Sequence, residues 1–183
     1  MRLFVALDIE QQIRQRIAVF RDQMRSLASD VRWVGPETFH VTLQFLGETQ
    51  KLDEVRHALK SVRAAPIELD FRGAGFFPNP KAPRIFWVGI ESEAHLQALV
   101  SAVSQALEPL GFPRDPGPFT PHLTLARFEP PGIPANLFAA AEERSSREFG
   151  SLRAREFHLI ESKLKPSGAE YTTLHSFPFV VEA

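Results

Sequence analysis

No cysteine occurs among the 183 residues, and there is only one tyrosine. Disulfides, thiolate zinc ligands, C-x-x-C redox pairs and thiol nucleophiles are therefore excluded, an absence that fits a reducing compartment. Long hydrophobic runs are missing as well. No segment approaches the roughly 18 consecutive apolar residues of a membrane span. The opening Met1–Leu7 meets an acid, Asp8, before its apolar run reaches signal-peptide length. A cytoplasmic chain with no membrane partner is the expectation. Nor is there an excess of positive charge: 21 Lys and Arg stand against 22 Asp and Glu, a net charge of −1. A sequence-independent grip on a long nucleic-acid backbone comes from many Lys/Arg–phosphate contacts that release counterions. Any nucleic-acid ligand should therefore be read over a short stretch or at an end.

What the chain does have is bulk and repetition. Sixteen Phe and an apolar fraction of 44% suit one domain over residues 1–183, or two small lobes sharing a core. Many of the 15 prolines gather in the loops Phe77–Pro83 and Pro109–Pro121, too short to be disordered linkers. Segments about 82 residues apart correspond in pattern. Arg2-Leu3-Phe4-Val5-Ala6 aligns with Arg84-Ile85-Phe86-Trp87-Val88, and both read as strands. Ile13, Ile17, Phe20, Met24 and Leu27 form a helical stripe that Leu96, Val100, Val103, Leu107 and Leu110 repeat. Thr38-Phe39-His40-Val41-Thr42-Leu43 then matches Thr120-Pro121-His122-Leu123-Thr124-Leu125.

A second short helix is expected around Leu52, Val55, Leu59 and Val62, and again around Leu137, Phe138 and Ala141. Further strands are expected near Ile67–Phe77, Arg153–Leu164 and Tyr171–Val181. The resulting fold class is α+β: two pseudo-symmetric lobes of mainly antiparallel sheet, with helices on the outer faces and a central cleft. A monomer is expected.

Strand side chains alternate faces, so His40 and Thr42 project to one side and Val41 and Leu43 to the other; His122 and Thr124 behave alike. A lone strand histidine is usually structural, as expected for His57, His95, His158 and His175. Two copies in equivalent slots of a repeat, each followed by Thr, read as a catalytic constellation. Metal ligation is disfavoured because two histidines lack the third protein ligand of a catalytic zinc site and no H-E-x-x-H occurs. No G-x-S-x-G elbow is present. Phosphodiester cleavage suits the inventory: one group deprotonates attacking water, another protonates the departing oxygen, and imidazole serves either role near neutrality. Thr42 and Thr124 can donate hydrogen bonds to the non-bridging oxygens. The facing imidazole nitrogens should then lie on the order of 6–9 Å apart, which requires motif strands that are staggered or separated by another strand.

With these motifs, the opening Arg2–Leu7, Trp33, His40–Gly47, Pro83-Arg84, Trp87, Gly89, Pro121–Arg127, Glu161-Ser162, Leu164, Gly168 and Tyr171, the sequence resembles the two-histidine (2H) phosphoesterase superfamily. Within it, the chain is similar to the bacterial and archaeal RNA 2′,3′-cyclic phosphodiesterases, also described as RNA 2′-5′ ligases. The resemblance implies hydrolysis of a 2′,3′-cyclic phosphate on an RNA end, such as that of a tRNA fragment, to a 2′-phosphate, with no metal and no cofactor. It implies that His40 is the proton donor and His122 the acceptor, an order the repeat itself leaves open. Ligation to a 5′-hydroxyl is then the reverse reaction.

Arg127 is a candidate phosphate-binding cation. Strict alternation would turn it away from His122, so that role requires a twist or an end of the strand there; a solvated strand-end Arg is the competing reading. Phe45 and Phe119 can stack a base, though core packing is the expected place for Phe45. Gln44 stands where a Lys is common in relatives, which implies a weaker contact with the RNA backbone. Two other readings stay open: a 2H enzyme acting on small cyclic nucleotides or 2′-5′ linkages, and a non-catalytic RNA-end binding module. Retention of both His and both Thr speaks against the binding module.

Overall fold

The computed structural model describes residues 1–78, 83–92, 94–115, 119–129 and 133–179. Residues 79–82 and 116–118 of the two proline-rich loops, and the end of the expected last strand beyond residue 179, lie outside the described residues. In chain order the elements are β1 (Arg2–Leu7), α1 (Gln11–Arg25), β2 (Arg32–Trp33), β3 (Val41–Glu48), α2 (Leu52–Leu59), β4 (Ile67–Phe77) and β5 (Ile85–Ser92). There follow α3 (Ala94–Leu107), β6 (His122–Arg127), α4 (Ala135–Glu143), β7 (Glu148–Ala154), β8 (Glu156–Lys165) and β9 (Gly168–Pro178).

The strands form two antiparallel sheets, one in the order β3-β1-β8-β9 and the other in the order β2-β6-β5-β4-β7. The fold is α+β, as expected, with four α-helices among the described residues. Strand pairing crosses the middle of the chain. β4 follows α2 but pairs with β5, while β8, from the second half, closes onto β1. Neither sheet is built from one contiguous half.

One expected strand is in fact two. The segment near Arg153–Leu164 belongs partly to β7 and partly to β8, in different sheets on either side of Arg155. Core positions explain the break: Leu152 and Ala154 point inward before Arg155, Phe157 and Leu159 after it. The inward phase shifts by one residue, so the chain leaves one sheet and enters the other. β9 begins at a Gly168 turn with φ of 123°, a conformation that glycine adopts without a Cβ clash.

Helical stripes cover the sheets. In α1, Ile13, Ile17, Phe20 and Met24 are buried, and the helix packs on β7; α4 packs on β4. α3, with Leu96, Val100, Val103 and Leu107 inward, packs on β3 and beside α2. Phe20 and Phe86 are fully buried with ring centroids 6.1 Å apart, each burial stabilising by roughly 1.5–3 kcal/mol. Leu3, Val5 and Leu7 join this main core, whereas Phe4 and Ala6 of the same strand join a small separate cluster with Ile160 and Tyr171 on the opposite face. No described helix is long and apolar enough to cross a membrane.

Candidate active site

β-Bulges set which side chains enter the cleft. Between β1 and β3 the register runs Phe4↔Phe45, Val5↔Gln44, then Ala6↔Thr42, so Leu43 is an extra residue. Thr42 and Phe45 therefore share the face of Phe4 and Ala6, while Leu43 and Gln44 both point into the core. Between β5 and β6 the register runs Phe86↔Ala126, then Trp87↔Thr124, leaving Leu125 extra at the equivalent place. Leu125 and Ala126 are both fully buried. His122, Thr124 and Arg127 consequently share one face, opposite the core.

Three expectations change with those bulges. Arg127 faces the same side as His122 because the bulge reverses the alternation, not because the strand ends. Phe45 is 63% exposed and is not a core residue. Gln44 is buried: its side-chain oxygen accepts from the Ser104 hydroxyl at 2.9 Å, and its amide donates to the Pro113 carbonyl at 3.4 Å. It has no exposed side to offer an RNA backbone.

His40 enters β3 from a short turn that Arg14 of α1 holds in place. The Arg14 guanidinium donates to the Pro36 carbonyl at 2.6 Å, the Phe39 carbonyl at 3.1 Å and the Asp8 carboxylate at 2.8 Å. The same Asp8 oxygen lies 3.7 Å from His40 Nε2. The ring is boxed by Phe4 and Tyr171, with centroids 6.3 and 5.7 Å away. Nδ1 is buried without a hydrogen-bond partner among the described residues. The Thr38 carbonyl favours the protonated ring electrostatically without reaching hydrogen-bonding geometry.

Burial dominates and pushes the His40 pKa below its usual value; the Thr38 carbonyl and Asp8 pull it up, while Arg14 and His158 add to the depression. Asp8→Asn should therefore lower the His40 pKa further. NMR titration of the ring, together with the pH dependence of kcat/KM, checks this: one limb of the activity profile should move to lower pH with the ring. An unmoved ring would show that Asp8 only anchors Arg14.

His122 sits differently. Its Nδ1 lies 2.8 Å from the Thr120 carbonyl, which fixes the ring so that Nε2 faces away from the backbone. Phe77 packs edge-on against it at 5.2 Å, and Trp87 packs on Phe77 at 5.2 Å. Gly75 and Gly89 make this wall possible: a Cβ on Gly75 would come within 2.5 Å of the Trp87 ring, and one on Gly89 within 2.5 Å of the Arg72 carbonyl.

The two motif strands lie in different sheets, so the division into two sheets keeps them apart, and not the expected stagger between neighbours or intervening strand. Tyr171 links the faces. It packs edge-on against Phe4 and tilted beside His40 on one sheet, and the charge of Arg127, from the other sheet, acts on its phenol. Burial raises the Tyr171 pKa, and Arg127 and Arg2 pull it partly back, so the phenol is a neutral donor near pH 7. Among the described residues the hydroxyls of Thr42 and Thr124 have no hydrogen-bond partner.

Phe119 is not in this group; it lines a separate recess with Ile90, Glu91 and Leu96. His158, expected to be structural, occupies the cleft-side row Thr42–Ala6–His158–Ser176 and is held by the Ser176 hydroxyl at 2.8 Å. Sequence reasoning gave no role to Asp8, Arg14 or Tyr171; the polar break at Asp8 and the lone tyrosine were the available signals.

Comparison with known proteins agrees with this architecture. The profile of the 2′-5′ RNA ligase superfamily matches residues 9–166. A protein of Archaeoglobus fulgidus named RNA 2′,3′-cyclic phosphodiesterase is 37% identical over 97% of this chain and 99% of its own length. One of the same name from Methanothermobacter thermautotrophicus is 32% identical over 96% and 97%. The crystal structure of TT0787 of Thermus thermophilus superposes with a TM-score of 0.79 at 30% identity, covering 98% of both chains. On the span of that profile, the near-complete coverage and the shared fold, the chain belongs to the 2′-5′ RNA ligase superfamily of 2H phosphoesterases.

Proposed function

We propose that the chain hydrolyses a 2′,3′-cyclic phosphodiester at an RNA end to a 2′-phosphomonoester, with His40 and His122 as the acid–base pair and without a metal. The observation that supports this reading is a pair of equivalent bulged strands, one following His40 and carrying Thr42, the other carrying His122 and Thr124, with Tyr171 packed beside His40 and under the influence of Arg127 from the other sheet. The phosphate lies between the two histidines. His122, oriented by the Thr120 carbonyl, takes a proton from water as its oxygen attacks phosphorus. The bond to the 3′-oxygen breaks, and His40 delivers the proton that makes the 3′-hydroxyl. Thr42, Thr124 and Arg127 donate to the non-bridging oxygens, where charge accumulates. Burial makes protonated His40 a stronger acid than free imidazole, which suits a donor to an alkoxide. A 5′-hydroxyl attacking in place of water yields a 2′-5′ linkage, the reverse of opening such a linkage to the cyclic phosphate.

The test is incubation with an oligonucleotide ending in a 2′,3′-cyclic phosphate, with and without a chelator, followed by identification of the hydroxyl that keeps the phosphate. A 2′-phosphate formed at the same rate in chelator is expected; a 3′-phosphate, or no turnover, would reject the reading. Co-crystallisation with phosphate should place the anion between histidine nitrogens on the order of 6–9 Å apart.

Phe45 supplies the terminal base with a stacking face. It is exposed, stands beside Phe4 at 5.9 Å, and shares the cleft side with Thr42. Base–aromatic stacking is worth about 1–3 kcal/mol, so Phe45→Ala should raise KM for adenosine 2′,3′-cyclic phosphate by roughly tenfold with kcat little changed, and Phe45→Trp should restore it. A fall in kcat with KM unmoved would place Phe45 in the scaffold.

A further inference from the structure

Arg32 and Arg127 are directly opposed on β2 and β6, so two guanidiniums leave one face of the sheet from Cβ atoms about 5 Å apart. Like charges so placed repel. Among the described residues neither forms an ion pair, whereas Arg14, Arg21, Arg56, Arg72, Arg144 and Arg153 do. A third cation, from the other sheet, shares a neighbour with Arg127. Arg2 lies in the cleft-side row of the other sheet with Ser162 and Tyr171, and acts with Arg127 on the Tyr171 phenol. In a chain of net charge −1, two directly opposed guanidiniums, one of them acting with Arg2 on the same phenol, create a local demand for anions that one phosphate on Arg127 does not satisfy.

We propose that Arg32, with Arg2 opposite it, forms a second phosphate site that holds the phosphodiester on the 5′ side of the terminal nucleotide. This rests on the cyclic phosphodiesterase reading above and sharpens its substrate. The ribose that carries the cyclic phosphate is joined through its 5′-oxygen to the next phosphate, which is the nearest other anion an RNA end can offer. A nucleoside 2′,3′-cyclic phosphate without that group leaves Arg32 and Arg127 repelling each other. The site thus favours a strand end over a free cyclic nucleotide.

The experiment compares wild type, Arg32→Ala and Arg32→Lys on four substrates. These are adenosine 2′,3′-cyclic phosphate, its 5′-phosphorylated form, the ApA dinucleotide ending in a cyclic phosphate, and that dinucleotide with an uncharged methylphosphonate linkage. Wild type should favour the 5′-phosphorylated nucleotide and the charged dinucleotide by on the order of tenfold in kcat/KM. Arg32→Ala should lose that advantage while keeping the wild-type rate on the unphosphorylated nucleoside, and Arg32→Lys should keep part of it. The methylphosphonate dinucleotide should fall to the level of the mononucleoside.

The salt dependence for the charged dinucleotide should flatten in Arg32→Ala by about 0.7 in the log–log slope, one phosphate contact on a single strand. Indifference of wild type to the 5′-phosphate, or an equal slowing of all four substrates by Arg32→Ala, would overturn the site. If wild type cleaves none of them, the enzymatic reading fails by itself. Calorimetry with adenosine 2′,5′-bisphosphate against adenosine 2′-monophosphate then decides the second site: a preference for the bisphosphate that Arg32→Ala removes upholds it, and equal affinities overturn it.

Discussion

His40→Ala and His122→Ala should each lower kcat/KM for a 2′,3′-cyclic phosphate by roughly 10²–10⁴-fold, the contribution expected of a positioned acid or base. On the proposed mechanism the two act in one step, so the double variant should be little worse than either single one. His40→Gln is the companion control, since the His40 side chain is only 11% exposed and truncation opens a cavity that the amide largely refills. Circular dichroism and thermal unfolding should show all variants folded.

The roles separate on a nucleoside p-nitrophenyl phosphodiester, whose phenolate departs without needing a proton. If His40 is the donor, His40→Ala recovers much of its rate on that ester while His122→Ala stays slow. Recovery by His122→Ala alone would reverse the assignment, and wild-type turnover of the cyclic substrate by either variant would end the two-histidine mechanism.

The fold class and the placement of Thr42, His122 and Thr124 on strands, with His40 one residue before β3, were legible because they depend on short-range pattern. Helical stripes such as Ile13–Ile17–Phe20–Met24 and runs such as Ile67–Phe77 carry their own periodicity. The bulges at Leu43 and Leu125 carry none. In each case two successive residues turn inward, Leu43 with Gln44 and Leu125 with Ala126, and a polar Gln among them disguises the event. Strict alternation therefore misplaced the three residues beyond the bulges whose direction matters: Gln44, Phe45 and Arg127.

The exchange of β4 and β8 between sheets was equally hidden, because strand pairing is a contact between distant segments and the repeat predicts only which segments are strands. The electrostatics of His40 depend on such contacts too. Asp8 and Arg14 reach it through the turn before β3, and His158 lies on a strand more than a hundred residues later. Pseudo-symmetry gives both histidines the same slot, yet one is packed between Phe4 and Tyr171 and the other leans on Phe77. That asymmetry distinguishes the two rings chemically, and it arises from side chains the repeat does not copy.

Arg127→Ala should cost roughly 10–100-fold in kcat/KM, since a charge-assisted hydrogen bond is worth about 1.5–3 kcal/mol and each 1.4 kcal/mol is tenfold. Arg127→Lys should recover only part of this, because an ammonium keeps the charge but not the planar fork that fits two phosphate oxygens. A solvated arginine at a strand end would show neither effect. The decisive companion measurement is optical.

Tyr171 is the only tyrosine in the chain, so alkaline tyrosinate absorbance reports that one phenol. Its pKa is raised by burial and pulled back by Arg127 and Arg2; removing Arg127 takes away one of the two cations that favour the phenolate, and the titration must move further up. In Arg127→Lys the cation remains, and the midpoint should stay near that of wild type. A loss of activity in Arg127→Ala with the tyrosine titration unmoved would mean that the guanidinium does not reach across to the opposite sheet. The placement of Arg127 on the cleft side by the Leu125 bulge would then no longer explain the defect.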